Sequence, residues 1–194
     1  MKEEPKKMWT TKKIILAVIA GLAGLIVLSM IASWIYFLVT FKTYHNEEEG
    51  VEISYPKTWI VKEHPMQDVI VAFLTPKDNA LDTFFENVNL SKYDMSKLPH
   101  STEDYAKIMV DQLLMLFEDL QMTEKTPFLI AGQNGYRMVL RITGEEEKTI
   151  IVYAFTLGTM GYNILYVGSN EHLPKHRPLL DMMALTLKVR YLPI

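Results

Sequence analysis

The chain has 194 residues, no cysteine, a formal net charge of -3 and a hydrophobic share of 49 %. This composition excludes a collagen, a coiled coil, a disordered tail, a disulfide scaffold and an anchor through a lipidated thiol. One uncharged run, residues 14–41, holds much of the apolar content. The roughly 150 residues outside it are enough for one hydrophobic core.

Residues 14–41 are predicted to form a transmembrane signal-anchor helix. At 1.5 Å per residue the run would be about 42 Å long, whereas a bilayer core needs about 20 helical residues. Trp34, Tyr36 and Phe41 lie in its last third, where aromatic rings favour the membrane interface. Membrane lipid is the partner expected for this segment. A cleaved signal peptide is the alternative, but the run is about twice as long as a signal-peptide core and no small-x-small cleavage site follows.

The charges around this run predict its direction. Residues 1–13 form a basic stub with five lysines, and residues 42–50 form an acidic linker. The positive-inside rule therefore places the N-terminus in the cytoplasm and residues 51–194 outside it. Beyond residue 13 the chain has 15 basic and 21 acidic residues, a net charge of -6. This charge argues against nucleic acid as a partner.

The predicted membrane helix carries a possible helix-pairing face. Ala17 with Gly21, and Ala20 with Gly24, form two small-xxx-small pairs. Such pairs let a second helix approach closely, although small residues are also common in unpaired membrane helices.

The outer domain reads as strands interrupted by two helices. Alternating apolar residues and turn signals predict strands at 51–55, 58–62, 69–75 and 84–90, with a turn at 76–79. Ser101 and Asp104 have capping-box spacing, and apolar residues then recur at helical spacing, which predicts a helix over 101–120. Leu114 and Met115 are additional apolar residues that indicate either broad burial or a contact surface.

Four more strands are predicted at 128–131, 136–143, 149–157 and 162–167. Their short glycine-containing turns indicate an antiparallel meander. Gly132 and Gly135 are expected to supply positive φ in the first hairpin, with Asn134-Gly135 as a type I′ turn. Pro174 suits the first turn of a second helix, and residues 186–192 close the chain as a strand. This order predicts an α+β fold, with helices packed on the faces of an antiparallel sheet.

Several motifs follow one another in a recognisable order. Tyr55, Pro56 and Trp59 lie in Gly-Val-Glu-Ile-Ser-Tyr-Pro-Lys-Thr-Trp at 50–59, followed by Phe-Leu-Thr-Pro at 73–76 and Asn-Val-Asn-Leu at 87–90. A helix motif at 105–113 and Gly-Gln-Asn-Gly-Tyr-Arg at 132–137, which contains Tyr136, come next. Together these motifs resemble the PsbP-like superfamily, in its bacterial, non-photosynthetic branch.

The resemblance implies an α-β-α sandwich on an antiparallel sheet, usually without enzymatic activity and usually acting by binding other proteins. Val51 stands where an aromatic residue is common, and no photosystem role is carried over. Folding roles alone explain the presence of several motif residues, since Pro56 ends strand pairing and Trp59 can cover an edge of the core.

Candidate chemistry is sparse. Ser54 and Lys57 match the Ser-x-x-Lys string of penicillin-interacting enzymes, but there the serine opens a helix, whereas Ser54 lies in a predicted strand. His172 and His176 have the four-residue spacing of two metal ligands on a helix, yet Pro174 lies between them and no third ligand is indicated. The acidic runs 47–49 and 145–147 lack the pattern of a calcium loop. No catalytic residue and no cofactor is therefore assigned.

These observations favour a single-pass, membrane-anchored, extracytoplasmic domain that binds a membrane or envelope protein as an accessory or scaffold, without catalysis. A small-ligand or cation sensor is the alternative, and an envelope hydrolase is the third hypothesis. An exposed apolar patch would favour protein binding, and a concave pocket with convergent polar groups would favour a sensor. A hydrolase requires a buried carboxylate or histidine in a cleft.

Overall fold

The computed structural model describes residues 11–76, 86–98, 101–117, 119–143 and 147–190. Most of the basic stub, of the 76–79 turn and of the acidic run 145–147 lies outside the described residues, as do the first residues of the strand predicted at 84–90 and the end of the last predicted strand. The chain divides into two compact units, residues 1–41 and 42–194.

The first unit consists mainly of helix α1, Thr11–Thr40. Its segment Ile15–Thr40 is long and apolar enough to cross a membrane, so that it qualifies as an anchor or as a signal sequence. The four small residues Ala17, Ala20, Gly21 and Gly24 are exposed on this helix. Apart from the adjacent residues and the nearby backbone of the helix itself, no described atom lies within 4 Å of a Cβ built on Gly21 or Gly24, and helix pairing stays a prediction.

Two helices and two sheets are formed by the residues that the structure describes beyond α1. The helices are α2, Thr102–Leu116, and α3, Leu173–Thr186. The strands are β1 Phe41–Asn46, β2 Val51–Pro56, β3 Ile60–Glu63, β4 Val69–Leu74, β5 Asn87–Asp94, β6 Leu120–Ile130, β7 Gln133–Ile142, β8 Lys148–Leu157, β9 Met160–Ser169 and β10 Lys188–Val189. Seven of them form one antiparallel sheet in the order β3-β4-β5-β9-β8-β7-β6. The other three form a sheet in the order β1-β2-β10.

Strand β8 shows how the two helices are arranged. Its residues Ile150, Val152 and Ala154 belong to the core cluster that includes the buried side of α2. The alternate residues Ile151, Tyr153 and Phe155 belong to the cluster that includes α3. Successive side chains of a strand point to opposite faces, so α2 and α3 cover opposite faces of the sheet. The predicted α-β-α sandwich is confirmed.

The acidic linker predicted at 42–50 is wrong in its first half, because β1 begins at Phe41 and pairs with β2. Tyr44 is buried, with its ring 6.2 Å from the ring of Phe73. Farther along, Glu49 forms an ion pair with Lys92 on β5. The polar side chains of this segment hid a strand whose hydrogen-bonding partner, β2, is the next strand along the chain.

Strand β6 also differs from the prediction. It begins at Leu120, so the helix predicted to residue 120 ends at Leu116 and the strand predicted at 128–131 is 11 residues long. Much of β6 is polar because it is an edge strand of the seven-stranded sheet. The last strand is shorter than predicted and pairs with β2 in the smaller sheet.

The β6–β7 hairpin turns three residues earlier than the predicted Asn134-Gly135 turn. Ala131 and Gly132 have consecutive positive φ values of 52° and 72°, the pattern of a type I′ turn. Gly132 therefore has the predicted role, but the positive φ predicted for Gly135 is wrong. Gly135 lies within β7, and a Cβ there would come 2.5 Å from Ile130 Cδ1 and 2.7 Å from the carbonyl oxygen of Ala154. Close packing requires this glycine.

Candidate functional site

Helix α2 ends in a group of exposed apolar side chains, here called the α2 apolar surface: Leu114, Met115, Leu116 and Phe117. Met115 is 85 % exposed and Leu116 is 74 % exposed. The helix stops here because Phe117 adopts an extended backbone, with its N–H donating to the carbonyl of Leu113. Of the two readings of Leu114 and Met115, the structure favours a contact surface over broad burial.

The opposite side of α2 explains why these residues remain outside. Tyr105, Ala106, Met109, Val110 and Leu113 are the buried residues of the helix and pack on the sheet. This stripe fills the face that α2 turns toward the core. Contiguous exposed apolar side chains on a folded domain mark interaction sites. The α2 apolar surface is therefore the candidate protein-binding site.

The strand edges of the large sheet are poorly suited to binding by strand addition. Edge strand β3 has only four residues, of which Lys62 and Glu63 are exposed. Edge strand β6 contains Pro127, the exposed Lys125 and a register shift between Met122 and Glu124. Short length, charge, proline and bulges are the usual protections of an edge. A partner is therefore expected to contact side chains rather than to extend the sheet.

The two histidines predicted as weak metal candidates come together at the start of α3. Both contact Glu86: His172 Nδ1 lies 3.1 Å from Glu86 Oε1, and His176 Nδ1 contacts Oε2. The backbone N–H of Ser169 donates to Glu86 Oε1 at 3.0 Å. The hydroxyl of Tyr166 lies 3.3 Å from His176 Nδ1. The carboxylate therefore joins β9 to the first turn of α3.

Burial alone would raise the pKa of Glu86, but hydrogen bonds from His176 and from the Ser169 backbone outweigh it and lower the pKa to about 2. Within the described ranges, no group of three or more acidic or histidine side chains could hold a metal ion. The imidazole nitrogens instead contact the carboxylate. We call this group the Glu86 cluster: Glu86, His172, His176, Ser169 and Tyr166. Its contacts hold the start of α3 against the sheet.

Among the motif residues at 54–59, Trp59 contacts this cluster. The N–H of Trp59 donates to the carbonyl of Pro56 in a tight turn. The indole of Trp59 lies edge-on to the His176 ring, with centroids 5.8 Å apart. The ring of Tyr55 lies 4.7 Å from that of Phe73. Ser54 lies in β2, so the Ser-x-x-Lys string is not on a helix. Tyr55, Pro56 and Trp59 thus have packing roles.

A second polar network joins α3 to the β6–β7 edge. Arg137 donates from Nη1 to both carboxylate oxygens of Asp181, at 3.0 and 3.2 Å, and from Nη2 to Glu124 at 2.8 Å. Arg177 also donates to Glu124, and Tyr153 donates to Asp181 at 2.7 Å. Hydrogen bonds from Arg137 and Thr126 lower the pKa of Glu124 to about 2. The two arginines balance the two carboxylates.

Tyr136, the neighbour of this arginine in the sequence motif, faces the α2 side of the sheet. The ammonium of Lys125 lies 4.5 Å from the centre of its ring. The same lysine forms an ion pair with Glu103 near the start of α2. Tyr136 therefore belongs to the packing between β7 and α2.

Sequence reasoning missed most members of the two polar networks. Glu86 directly precedes β5, Glu124 lies on β6 and Asp181 lies on α3. No sequence spacing relates these three acidic residues to His176 or Arg137. One available signal was Arg137 in the Gly-Tyr-Arg motif. An acidic residue inside an otherwise apolar stripe, such as Asp181 on α3, would have been a second.

Several solved structures have a similar fold. The cyanobacterial PsbP (CyanoP) of Synechocystis matches with a TM-score of 0.58 and 16 % identity, over 78 % of this chain and 93 % of that chain. The chain has the PsbP-like fold. LpqN, involved in cell envelope biogenesis of Mycobacterium tuberculosis, matches this PsbP-like domain with a TM-score of 0.56 and 10 % identity, over 78 % and 91 % of the two chains.

The Ran-binding protein Mog1p of Saccharomyces cerevisiae matches with a TM-score of 0.55 and 10 % identity, over 77 % of this chain and 95 % of that chain. No model of a known protein family and no curated protein matches the sequence. The likeness therefore shows the fold. It confirms the resemblance that the order of motifs in the PsbP-like domain indicated.

Proposed function

We propose that this chain is a single-pass membrane protein whose PsbP-like domain lies outside the cytoplasm and binds a membrane or envelope protein. The exposed α2 apolar surface carries the proposal. Met115 and Leu116 alone leave two large apolar side chains mostly in water. Covering them with a partner would remove apolar area from water, worth about 25 cal/mol per Å² before the costs of association.

The anchor and its direction are supported by sequence and by helix length. Helix α1 has an apolar segment, Ile15–Thr40, that exceeds the roughly 20 residues required to span a bilayer. Five lysines precede it, and Glu47, Glu48 and Glu49 follow it. This asymmetry favours a cytoplasmic N-terminus.

The sensor and hydrolase alternatives have less support. The depression beside the 64–70 loop has a volume of about 540 Å³, but it is bounded by exposed residues such as His64, Met66 and Gln67. A ligand there would remain largely in solvent, unlike one in a typical pocket. Glu86 and His176 are buried, but neither lines that depression, nor those beside α2 and beside β10. Among the described residues, the buried pair therefore lines none of these depressions, and a hydrolase, which requires such a cleft, has less support.

Site-specific crosslinking tests the binding surface. Because the chain contains no cysteine, Met115→Cys introduces a single thiol that can carry a photocrosslinker. Leu185→Cys is the matched control, since Leu185 is a half-exposed apolar residue on α3, which covers the other face of the sheet. In membranes of the native host, Met115→Cys is expected to give a discrete protein adduct that Leu185→Cys does not give.

The same variant tests the direction of the anchor. A membrane-impermeant thiol reagent is expected to label Met115→Cys in intact cells. Labelling only after the membrane is broken would contradict an extracytoplasmic domain. Equal adducts from both cysteine variants, or none from Met115→Cys, would contradict binding through the α2 apolar surface.

A further inference from the structure

A pocket of about 240 Å³ lies beside α2, between the helix and the segment that follows β5. Its apolar walls include Tyr93, Met95, Ile108 and Met109. Asp94 lies at its rim, and we call it the Asp94 pocket. The carboxylate of Asp68 is its second acidic group. The pocket thus combines an aromatic and thioether interior with a negatively charged rim.

The chemistry of the lining selects a cation with an apolar stem. Of the described residues that line the pocket, two are acidic and none is basic. Tyrosine faces attract cations, and flexible methionine side chains pack against methylene groups. The net charge of -6 beyond residue 13 adds a long-range attraction for positive partners.

The backbone around Asp68 is held in an uncommon conformation. Asp68 has a φ of 63°, in the left-handed region that non-glycine residues rarely adopt. Its carbonyl accepts a hydrogen bond from the N–H of Lys92 at 3.0 Å, which ties the segment to β5. Such a conformation is often retained at binding sites. Here it holds an aspartate beside the pocket.

The pocket lies along the same side of α2 as Met115 of the α2 apolar surface. Ile108 and Gln112, which line the pocket, are four residues apart on α2, and Met115 follows three residues later. Residues with this spacing lie along one side of a helix. A partner seated on Met115 therefore has the pocket within reach one to two turns away.

The volume points to a single side chain. Pockets for small ligands usually measure about 300–1,000 Å³, which is more than the Asp94 pocket offers. Resting on the proposed function, we propose that the Asp94 pocket takes an arginine side chain of the protein partner. The guanidinium pairs with the rim carboxylates while the stem packs between Tyr93 and Met109. Arginine matches a carboxylate with two parallel hydrogen bonds and is enriched among the residues that dominate interfaces.

A fragment titration tests the pocket directly. The full chain in detergent micelles, labelled at the methionine methyl groups, is titrated with N-acetyl-arginine amide and with N-acetyl-citrulline amide, which is nearly isosteric and uncharged. The methyl signals of Met95 and Met109 are expected to shift with the arginine amide, while that of Met182 on α3 does not. Affinity for the citrulline amide is expected to be at least about tenfold lower, because the charge pairing is lost.

Asp94→Asn is the informative variant, since its side-chain oxygen can still accept the N–H of Ser96, as Asp94 does at 2.8 Å. It is expected to weaken binding of the arginine amide by about tenfold or more. Asp111→Asn is the matched control, because Asp111 is on α2 but does not line the pocket and pairs with Lys107. This control is expected to bind the amide with unchanged affinity.

Equal binding of both amides, or no shift at Met95 and Met109, would overturn the proposal and leave the crosslink at Met115 unaffected. Asp94→Asn is also expected to lower the yield of the Met115→Cys adduct several-fold, and an unchanged yield would overturn the role of the pocket in partner binding. A bound arginine amide without any adduct would contradict the proposed protein partner instead.

Discussion

The imidazole of His176 contacts the carboxylate of Glu86 in a part of the core where each side chain is 5 % exposed. Glu86 directly precedes β5, whereas His176 lies in the first turn of α3. The pair therefore holds the helix against the sheet. A second imidazole, that of His172, and the backbone of Ser169 complete the hydrogen bonding of the carboxylate.

Glu86→Gln is expected to lower the free energy of unfolding by about 2–3 kcal/mol at pH 7. The amide removes the charge while the buried donors around it remain. Denaturant unfolding of the full chain in micelles, followed by tryptophan fluorescence, measures the loss. Glu171→Gln is the control, since Glu171 is exposed immediately before His172, and its stability is expected to change by less than about 0.5 kcal/mol.

The same pair predicts a pH dependence. The pKa of Glu86 is lowered from 4.5 to about 2 in the folded protein, so its contribution is complete above pH 4.5 and is lost as the pH falls toward 2. The wild-type protein should therefore lose more stability between these pH values than Glu86→Gln does. Glu124, whose pKa is also about 2, contributes equally to the pH dependence of both proteins. Parallel pH profiles would contradict the assignment to Glu86.

Arg137→Lys is expected to destabilise the fold by about 2 kcal/mol. One guanidinium bridges Asp181 and Glu124, and its side chain is only 14 % exposed, whereas a single ammonium cannot reproduce this forked geometry. Thermal unfolding measures the effect. Arg141→Lys on the same strand is the control, because Arg141 is exposed. Equal melting temperatures for the two variants would show that the bridge contributes little.

The two glycines of the β6–β7 hairpin should respond differently to asparagine. Gly132→Asn is expected to cost less than about 1 kcal/mol, since asparagine tolerates a φ of 72°. Gly135→Asn should cost at least about 3 kcal/mol, because even a Cβ would come 2.7 Å from the carbonyl of Ala154. Comparison of the two denaturation midpoints decides the point. A larger loss of stability for Gly132→Asn would instead support a turn at Asn134-Gly135.

Two leucines about one turn apart on α2, Leu113 and Leu116, should also respond differently to the same substitution. Leu116→Glu is expected to change the free energy of unfolding by less than about 0.5 kcal/mol and to abolish the adduct formed at Met115→Cys. Leu113→Glu should unfold the domain, because it buries a charge against the sheet. Circular dichroism and crosslinking together measure both effects. A folded Leu116→Glu protein that still forms the adduct would place the partner elsewhere.

Sequence patterns predicted the helices and strands that are specified by residues close together in the chain. The apolar run of α1, the Ser101 cap of α2 and the apolar residues of β8 are all visible within a few residues of chain. Strands whose exposed faces are polar escaped prediction. β1 and most of β6 lie at edges, where water accepts the side chains that normally signal a loop.

The sequence by itself determined that one segment suits a membrane and that the rest folds as an antiparallel α+β domain, because periodicity and turn residues act over short distances. Only the tertiary structure decided that Glu86 meets His176, that Gly135 must lack a side chain and that Met115 faces solvent. Met115 has helical spacing whether its side chain is covered by other residues or exposed to solvent. Which of the two occurs depends on which distant strands pack against the helix, and no local pattern encodes that packing.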